Sequence, residues 1–318
     1  MNDKIDIIVP WLNANDLHWQ KDYMEYLKTQ NKGDTSVIRT REWDLFRYFL
    51  RSISKNCKWV NNVYVCVYDE NQIPDWMNTN CSKLKILYHR DVIPNECLPT
   101  FNGLCVENFL LKYKEISNNF IFCDDDMYFV NETKDTDYFR NNQCVKFKEP
   151  LTKSNPGNFD YFHKHDLWNK IMQNTVNYKE KITGNSTYYP MYHVPEGFHK
   201  NDFIKFYEKY GNDIINEFSK MDSKIRQETN LLTLSIVKYI QLDNNDFVSD
   251  YNFVKENVHI DITDRPNWKG IMDLIYTCKS VCINDQVYTT DIIKFNDIKH
   301  KLTRILDAVF PDKCEFEK

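Results

Sequence analysis

A layered α/β fold, with a mostly parallel sheet flanked by helices and a helical C-terminal part, is what this 318-residue sequence predicts. Three observations carry that expectation. Short runs at 5–9 and 63–68 are apolar on both faces, as parallel strands covered on both sides must be. Stretches of helical periodicity fall between such runs. Nearly every run also ends in polar residues, at the place where open α/β sheets bind their ligands.

Taken in order, Ile5-Asp6-Ile7-Ile8-Val9 reads as the first buried strand. Residues 41–54 then set Trp43, Phe46, Phe49, Leu50 and Ile53 on one helical face. Strands are expected at 63–68 and 84–88, a helix at 103–116 and a further strand at 119–123. This alternation is the mark of crossover units and a parallel sheet. Residues 134–190 are irregular, rich in Asn, Lys and aromatics, and read as an insertion. Helices follow at 201–220, broken by Gly211, and at 223–240, capped by Asp222 or Ser223. Residues 290–310 place Phe295, Ile298, Leu302, Ile305, Leu306 and Val309 at helical spacing. That stripe reads as core packing, with a membrane-surface or partner face as the alternative. The chain thus divides into a core at 1–133, an insertion at 134–190 and a helical part at 191–318.

Composition removes several classes. With 41 Lys and Arg against 46 Asp and Glu, the formal charge of −5 is too mixed for a general nucleic-acid binder. The start, Met1-Asn2-Asp3-Lys4-Ile5-Asp6, lacks the basic and apolar regions of a secretion signal. Leu231 to Ile240, the most apolar helical stretch, carries Thr233, Ser235 and Lys238 and falls short of the ~20 apolar residues that span a membrane. A cytoplasmic location is the expectation. The 10 cysteines form no C-x-x-C pair, which argues for reduced thiols and against a zinc ribbon. Only 7 glycines are present, in neither phosphate-loop spacing, so phosphates would be bound without a glycine cradle.

The strand ends locate the candidate chemistry: Asn13 and Asp16 after the first, Asp69 after the next, His89 and Asp91 after the third, and Asp124-Asp125-Asp126 after the last. Each read alone is a turn or a cap. Together they suggest an acidic rim. Three consecutive carboxylates repel one another unless a cation sits among them. In an extended chain Asp124 and Asp126 point to one side, so Mg²⁺ or Mn²⁺ held by Asp124, Asp125 and Asp126 would clamp a nucleotide diphosphate. A solvated acidic turn is the alternative. Arg47 and Arg51, one helical turn apart, and Arg226 offer guanidinium forks for phosphate oxygens. His193 precedes Val194-Pro195; His163-x-His165 and His259-x-Asp261 have metal-pair spacing but no third ligand in view.

Four blocks, in order, resemble the Stealth family of sugar-phosphate transferases. The first is Ile5-Asp6-Ile7-Ile8-Val9-Pro10-Trp11-Leu12-Asn13 with Asp16. The second runs from Arg41 through Leu50-Arg51-Ser52-Ile53, Trp59-Val60, Gln72-Ile73-Pro74-Asp75-Trp76 and Leu98-Pro99-Thr100-Phe101-Asn102 with Glu107, to Phe120–Phe129 around the Asp triplet. The third joins His193-Val194-Pro195 to Lys224-Ile225-Arg226, and the fourth is Cys282-Ile283-Asn284-Asp285. The chain departs from the family in carrying Asp124 where Asn is usual, and around Gln227–Asn230.

The resemblance implies a Rossmann-like, glycosyltransferase-A-like fold with a nucleotide-sugar-binding core at 1–133, an acceptor-facing insertion at 134–190, and a part at 191–318 that completes the active site. It implies transfer of a hexose-1-phosphate from a UDP-sugar to a hydroxyl of a polysaccharide or lipid-linked saccharide, with release of UMP. Glu107, Asp126, His193 and Arg226 fall at catalytic positions; Asn13, Asp16, Arg47, Asn102 and Asp285 fall at substrate-binding ones. Lipid-linked acceptors imply peripheral association with the inner face of a membrane. The competing expectations are a metal-dependent glycosyltransferase that releases UDP, and a non-catalytic nucleotide-sugar-binding protein.

Overall fold

The computed structural model describes residues 4–29 and 35–318. Met1-Asn2-Asp3, part of the stretch read for a secretion signal, lies outside them. The chain runs β1 (Ile5–Pro10), α1 (Leu17–Thr29), α2 (Phe46–Asn56), β2 (Val63–Val67), β3 (Leu84–Tyr88), the one-turn α3 (His89–Val92), α4 (Gly103–Leu110) and β4 (Asn119–Phe122). Next come β5 (Met127–Phe129), β6 (Phe139–Arg140), β7 (Gln143–Lys146), α5 (Leu167–Thr183), β8 (Glu196–His199), α6 (Lys200–Phe218) and α7 (Thr233–Asp243). The last elements are β9 (Val248–Ser249), α8 (Phe253–Glu256), β10 (Asn257–Thr263), α9 (Trp268–Thr277), β11 (Ser280–Gln286) and α10 (Ile292–Val309). The C-terminal part is therefore helix-rich and also supplies β8 to β11.

The main sheet has the order β3-β2-β1-β4-β8. Its first four strands are parallel, with Ile7 opposite both Val63 and Ile121; β8 joins antiparallel, Phe198 opposite Phe120. Alternation sends Ile5, Ile7 and Val9 into a layer formed with α2 and α10. It sends Ile8, Cys66, Phe120 and Phe122 into the opposite layer, formed with α4 to α7. Both faces are covered, as the apolar runs require. The strand order reverses at β1, so the connections leave the carboxyl ends of β1 and β4 in opposite directions and open a crevice there. A small sheet, β10-β11-β5, closes one side: β11 runs antiparallel to β5 with Cys282 opposite Met127.

Several expected elements differ. The helix expected from residue 41 starts at Phe46; Trp43 lies ahead of it, edge-on to Phe295 at 4.9 Å. The helix read as broken by Gly211 is continuous, because the glycine serves space: a Cβ there would lie 3.2 Å from the Tyr207 ring. The helix expected at 223–240 resolves into a turn, Met221–Lys224, an irregular link and then α7, so Arg226 sits in a loop and opens no helix. The 134–190 insertion holds a 17-residue helix, α5, N-capped by Asp166 and closed by Gly184 at φ 73°. On α10, Phe295, Ile298, Leu302 and Leu306 are buried in the same layer as α2, so the stripe is core.

Gly197 packs where β8 passes the β6 region: a Cβ would stand 3.0 Å from both the Tyr138 carbonyl and the Phe139 ring. A backbone oxygen cannot swing aside. Gly197→Ala is expected to lower stability by about 1–3 kcal/mol, read as a lower midpoint in a denaturant titration.

Candidate active site

The crevice beyond β1 and β4 is a cleft of about 1220 Å³. Its floor carries Asp124, Asp125 and Asp126; Glu107 on α4, His193 ahead of β8 and Arg226 in its loop stand around it. Asp285 and His259 from the small sheet, and Phe159, Tyr161 and Trp168 from the insertion, complete the walls.

The Asp triplet does not lie on an extended strand. Residues 124–127 make a tight turn in which the Met127 N–H reaches the Asp124 carbonyl at 3.2 Å, so the carboxylates fan out. Asp124 Oδ2 pairs with His193 Nε2 at 2.7 Å. Burial beside two like charges pushes Asp125 well above the usual carboxylate range. Asp126 Oδ1 accepts a hydrogen bond from the Cys282 thiol at 3.3 Å, and that sulfur lies 3.6 Å from His193 Nδ1. Among the described residues, the donors that converge in this cleft are Asp126, His193 and Cys282, within 4.8 Å of one another, not the three aspartates. Mg²⁺ takes oxygen ligands, and this set offers one oxygen, one nitrogen and one sulfur. The donor set does not fit it.

Burial works against charge on His193, yet Asp126, Asp124 and Glu107 outweigh it and hold the imidazole up to about 9. His193 is thus an imidazolium at neutral pH. Its ring lies 5.5 Å from that of His259, which burial and this charge push down. Glu107 moves the other way. Burial and the neighbouring Asp124 carboxylate raise it to about 8, against the pull of Arg226 and His193. The native state therefore holds a proton that the unfolded chain releases above its ordinary value of 4.5, and stability falls as pH rises from there towards 8. Glu107→Gln keeps the neutral form. It is expected to raise the melting temperature by at least ~2 °C at pH 8, a gain that shrinks towards pH 4.5. An equal shift at both pH values would refute the charge argument.

Other expected site residues take supporting places. Asn13 and Asp16 are tied into the chain around them: Asn13 Nδ2 donates to the Gln72 carbonyl, and Asp16 caps α1 through the N–H groups of His18 and Trp19 while accepting from Gln72 Nε2. Neither lines the cleft. Arg47 also stands outside it, its guanidinium 5.1 Å from the centre of the Trp76 ring. Arg51 is buried against Glu317, Nε to Oε1 2.6 Å and Nη2 to Oε2 2.8 Å, and is unavailable to phosphate. Asn102 caps α4 and binds Ser223 O and Asn230 Oδ1, which positions the Arg226 loop. Asp285 is clasped by Arg41 Nη2 at 2.6 Å and by the Trp43 indole N–H at 2.8 Å. Sequence reasoning gave Arg41 and Cys282 no role; only their place within the resembling blocks marked them.

Residues 39–147 match the Stealth family's conserved region 2. The chain is 28% identical to the capsular polysaccharide phosphotransferase WcwK of Streptococcus pneumoniae, across 99% of this chain and 98% of that one. It is 26% identical to the exopolysaccharide phosphotransferase cps2G of Lactiplantibacillus plantarum, across 99% and 96%. Among solved structures it aligns with the galactosyltransferase LgtC at a TM-score of 0.39 and 9% identity, covering 95% of each chain. End-to-end similarity to phosphotransferases makes this protein a transferase of phosphate-containing groups. Over residues 39–147 it resembles the Stealth family. Among the described residues, no helix is long and apolar enough to cross a membrane.

Proposed function

We propose that the protein moves a sugar-1-phosphate from a UDP-sugar to a hydroxyl of a growing capsular or cell-wall polysaccharide and releases UMP. One observation carries this reading: a carboxylate, an imidazolium and a guanidinium face a single cleft at the strand-order reversal. The acceptor oxygen attacks the sugar-bearing phosphorus, and the bond from that phosphorus to the UMP oxygen breaks. Asp126 accepts the hydroxyl proton, because His193 already carries one. Arg226 and the His193 imidazolium meet the charge on the transferred phosphate. The insertion, which turns Phe159, Tyr161 and Trp168 to the cleft, faces the acceptor.

The products decide the reading. Incubation with UDP-sugars and a saccharide acceptor is expected to yield UMP and a phosphodiester, followed by chromatography and mass spectrometry. UDP with a glycosidic product would replace this reading by that of a glycosyltransferase.

A further inference from the structure

We propose that Asp126, His193 and Cys282 form a three-ligand site for a borderline transition-metal cation of the Zn²⁺ class, and that occupancy withdraws Asp126 and His193 from transfer. The site goes beyond the transfer reaction and takes a different cation from the Mg²⁺ the family resemblance implies.

The geometry comes first. Tetrahedral Zn²⁺ with one oxygen, one nitrogen and one sulfur ligand requires ligand-to-ligand edges of roughly 3.3–3.7 Å. Cys282 Sγ stands 3.3 Å from Asp126 Oδ1 and 3.6 Å from His193 Nδ1. All three ligand atoms lie within 4.8 Å of one another. The second feature is the orientation of the imidazole. Its other nitrogen, Nε2, pairs with Asp124 Oδ2 at 2.7 Å. A carboxylate on the far nitrogen is how proteins fix a metal-binding histidine.

The three ligands also come from separately braced elements. Cys282 is held by the β11–β5 register, and the neighbouring Ile283 N–H bonds to the Asp126 carbonyl at 3.0 Å. The His193 segment is pinned at both ends: Lys238 Nζ reaches the Pro190 carbonyl and Glu196, while Lys146 Nζ reaches Glu196 and the Gly197 carbonyl. Asp126 and His193 line the cleft, which leaves a fourth position open to it.

A second grouping, Asp16, His18 and Asp69, makes a useful contrast. There Asp16 is already engaged by two backbone N–H groups and Gln72. That grouping is complete as a helix cap. In the cleft, by contrast, sulfur and imidazole suit Zn²⁺ or Co²⁺ over Mg²⁺. Binding displaces the thiol and imidazole protons.

The test is a Co²⁺ titration of the chelator-stripped full chain followed by absorption. Expected are tetrahedral ligand-field bands with a thiolate-to-cobalt charge-transfer band, displaced by Zn²⁺ and untouched by excess Mg²⁺. Cys282→Ser should abolish the charge-transfer band, and Asp124→Asn should weaken binding 10–100-fold, with circular dichroism confirming that each variant is folded. An octahedral spectrum, or one that Cys282→Ser leaves unchanged, overturns the site. The blocking effect is read separately: saturating Zn²⁺ should stop UMP release and a chelator should restore it, whereas full release under Zn²⁺ overturns that half. The cobalt spectrum with no UMP release from Zn²⁺-free protein supplied with Mg²⁺ supports the site and counts against the proposed transfer instead.

Discussion

Asp126→Asn should lower kcat for UMP release by about 10²–10⁴-fold, the usual worth of a positioned proton acceptor, while the protein stays folded. The carboxylate is raised by burial and by Asp124, so the neutral amide relieves a native-state penalty. Stability should therefore hold or rise. His193→Gln removes the nearby positive charge and should also depress kcat, but its neutral side chain leaves Asp124 without its ionic partner. Single-turnover measurements with saturating donor read the chemical step directly. Activity of Asp126→Asn within about threefold of the parent would remove Asp126 as the acceptor, whereas nucleotide binding by the parent protein with no UMP release would support the non-catalytic reading.

Glu196→Gln should be the most damaging single change to stability. Its carboxylate lies between two buried ammonium groups, Lys238 at 2.5 Å and Lys146 at 3.3 Å, all three side chains at most 6% exposed. The amide leaves both cations without a counter-charge, and breaking a buried pair costs about 3–5 kcal/mol. Lys238→Met is the control. It leaves one cation to one carboxylate, so a urea titration should show a clearly smaller loss. Equal losses for the two variants would refute the charge argument and point to packing. Because the same lysines fasten Pro190 and Gly197, Glu196→Gln should also loosen His193.

Much of the fold was legible because it rests on local pattern. The run from Leu84 to Tyr88 is a strand at its expected limits, and the alternation in β1, β2 and β4 marks a sheet covered on both faces. α5 was not read, although Asp166 and Gly184 mark its ends and Ile171, Met172 and Val176 face the core, because Asn, Gln and Lys are interspersed along that face. α6 was read as interrupted since glycine is a poor helix former, whereas Gly211 makes room for a ring one turn earlier. Of the candidate site, the residues that share the cleft were legible. Glu107, Asp126, His193 and Arg226 were all named, and all four line one cleft.

Arg51 and Arg47 illustrate the limit. Spacing one helical turn apart says that two guanidinium groups share a helix face; it does not say what that face meets. Arg51 meets Glu317, more than 260 residues away in sequence, which only the folded chain brings near.

The sequence by itself determined the α/β class, the order of the elements and the residue types that chemistry needs, since periodicity and composition act over a few neighbours. Tertiary structure alone decided which of those residues meet. The tight turn at residues 124–127 spreads the triplet, and the antiparallel pairing of β11 with β5 brings Cys282 to Asp126 across 156 positions. Donor sets and pKa values depend on distances of a few ångströms between residues remote in sequence, and no local pattern encodes those.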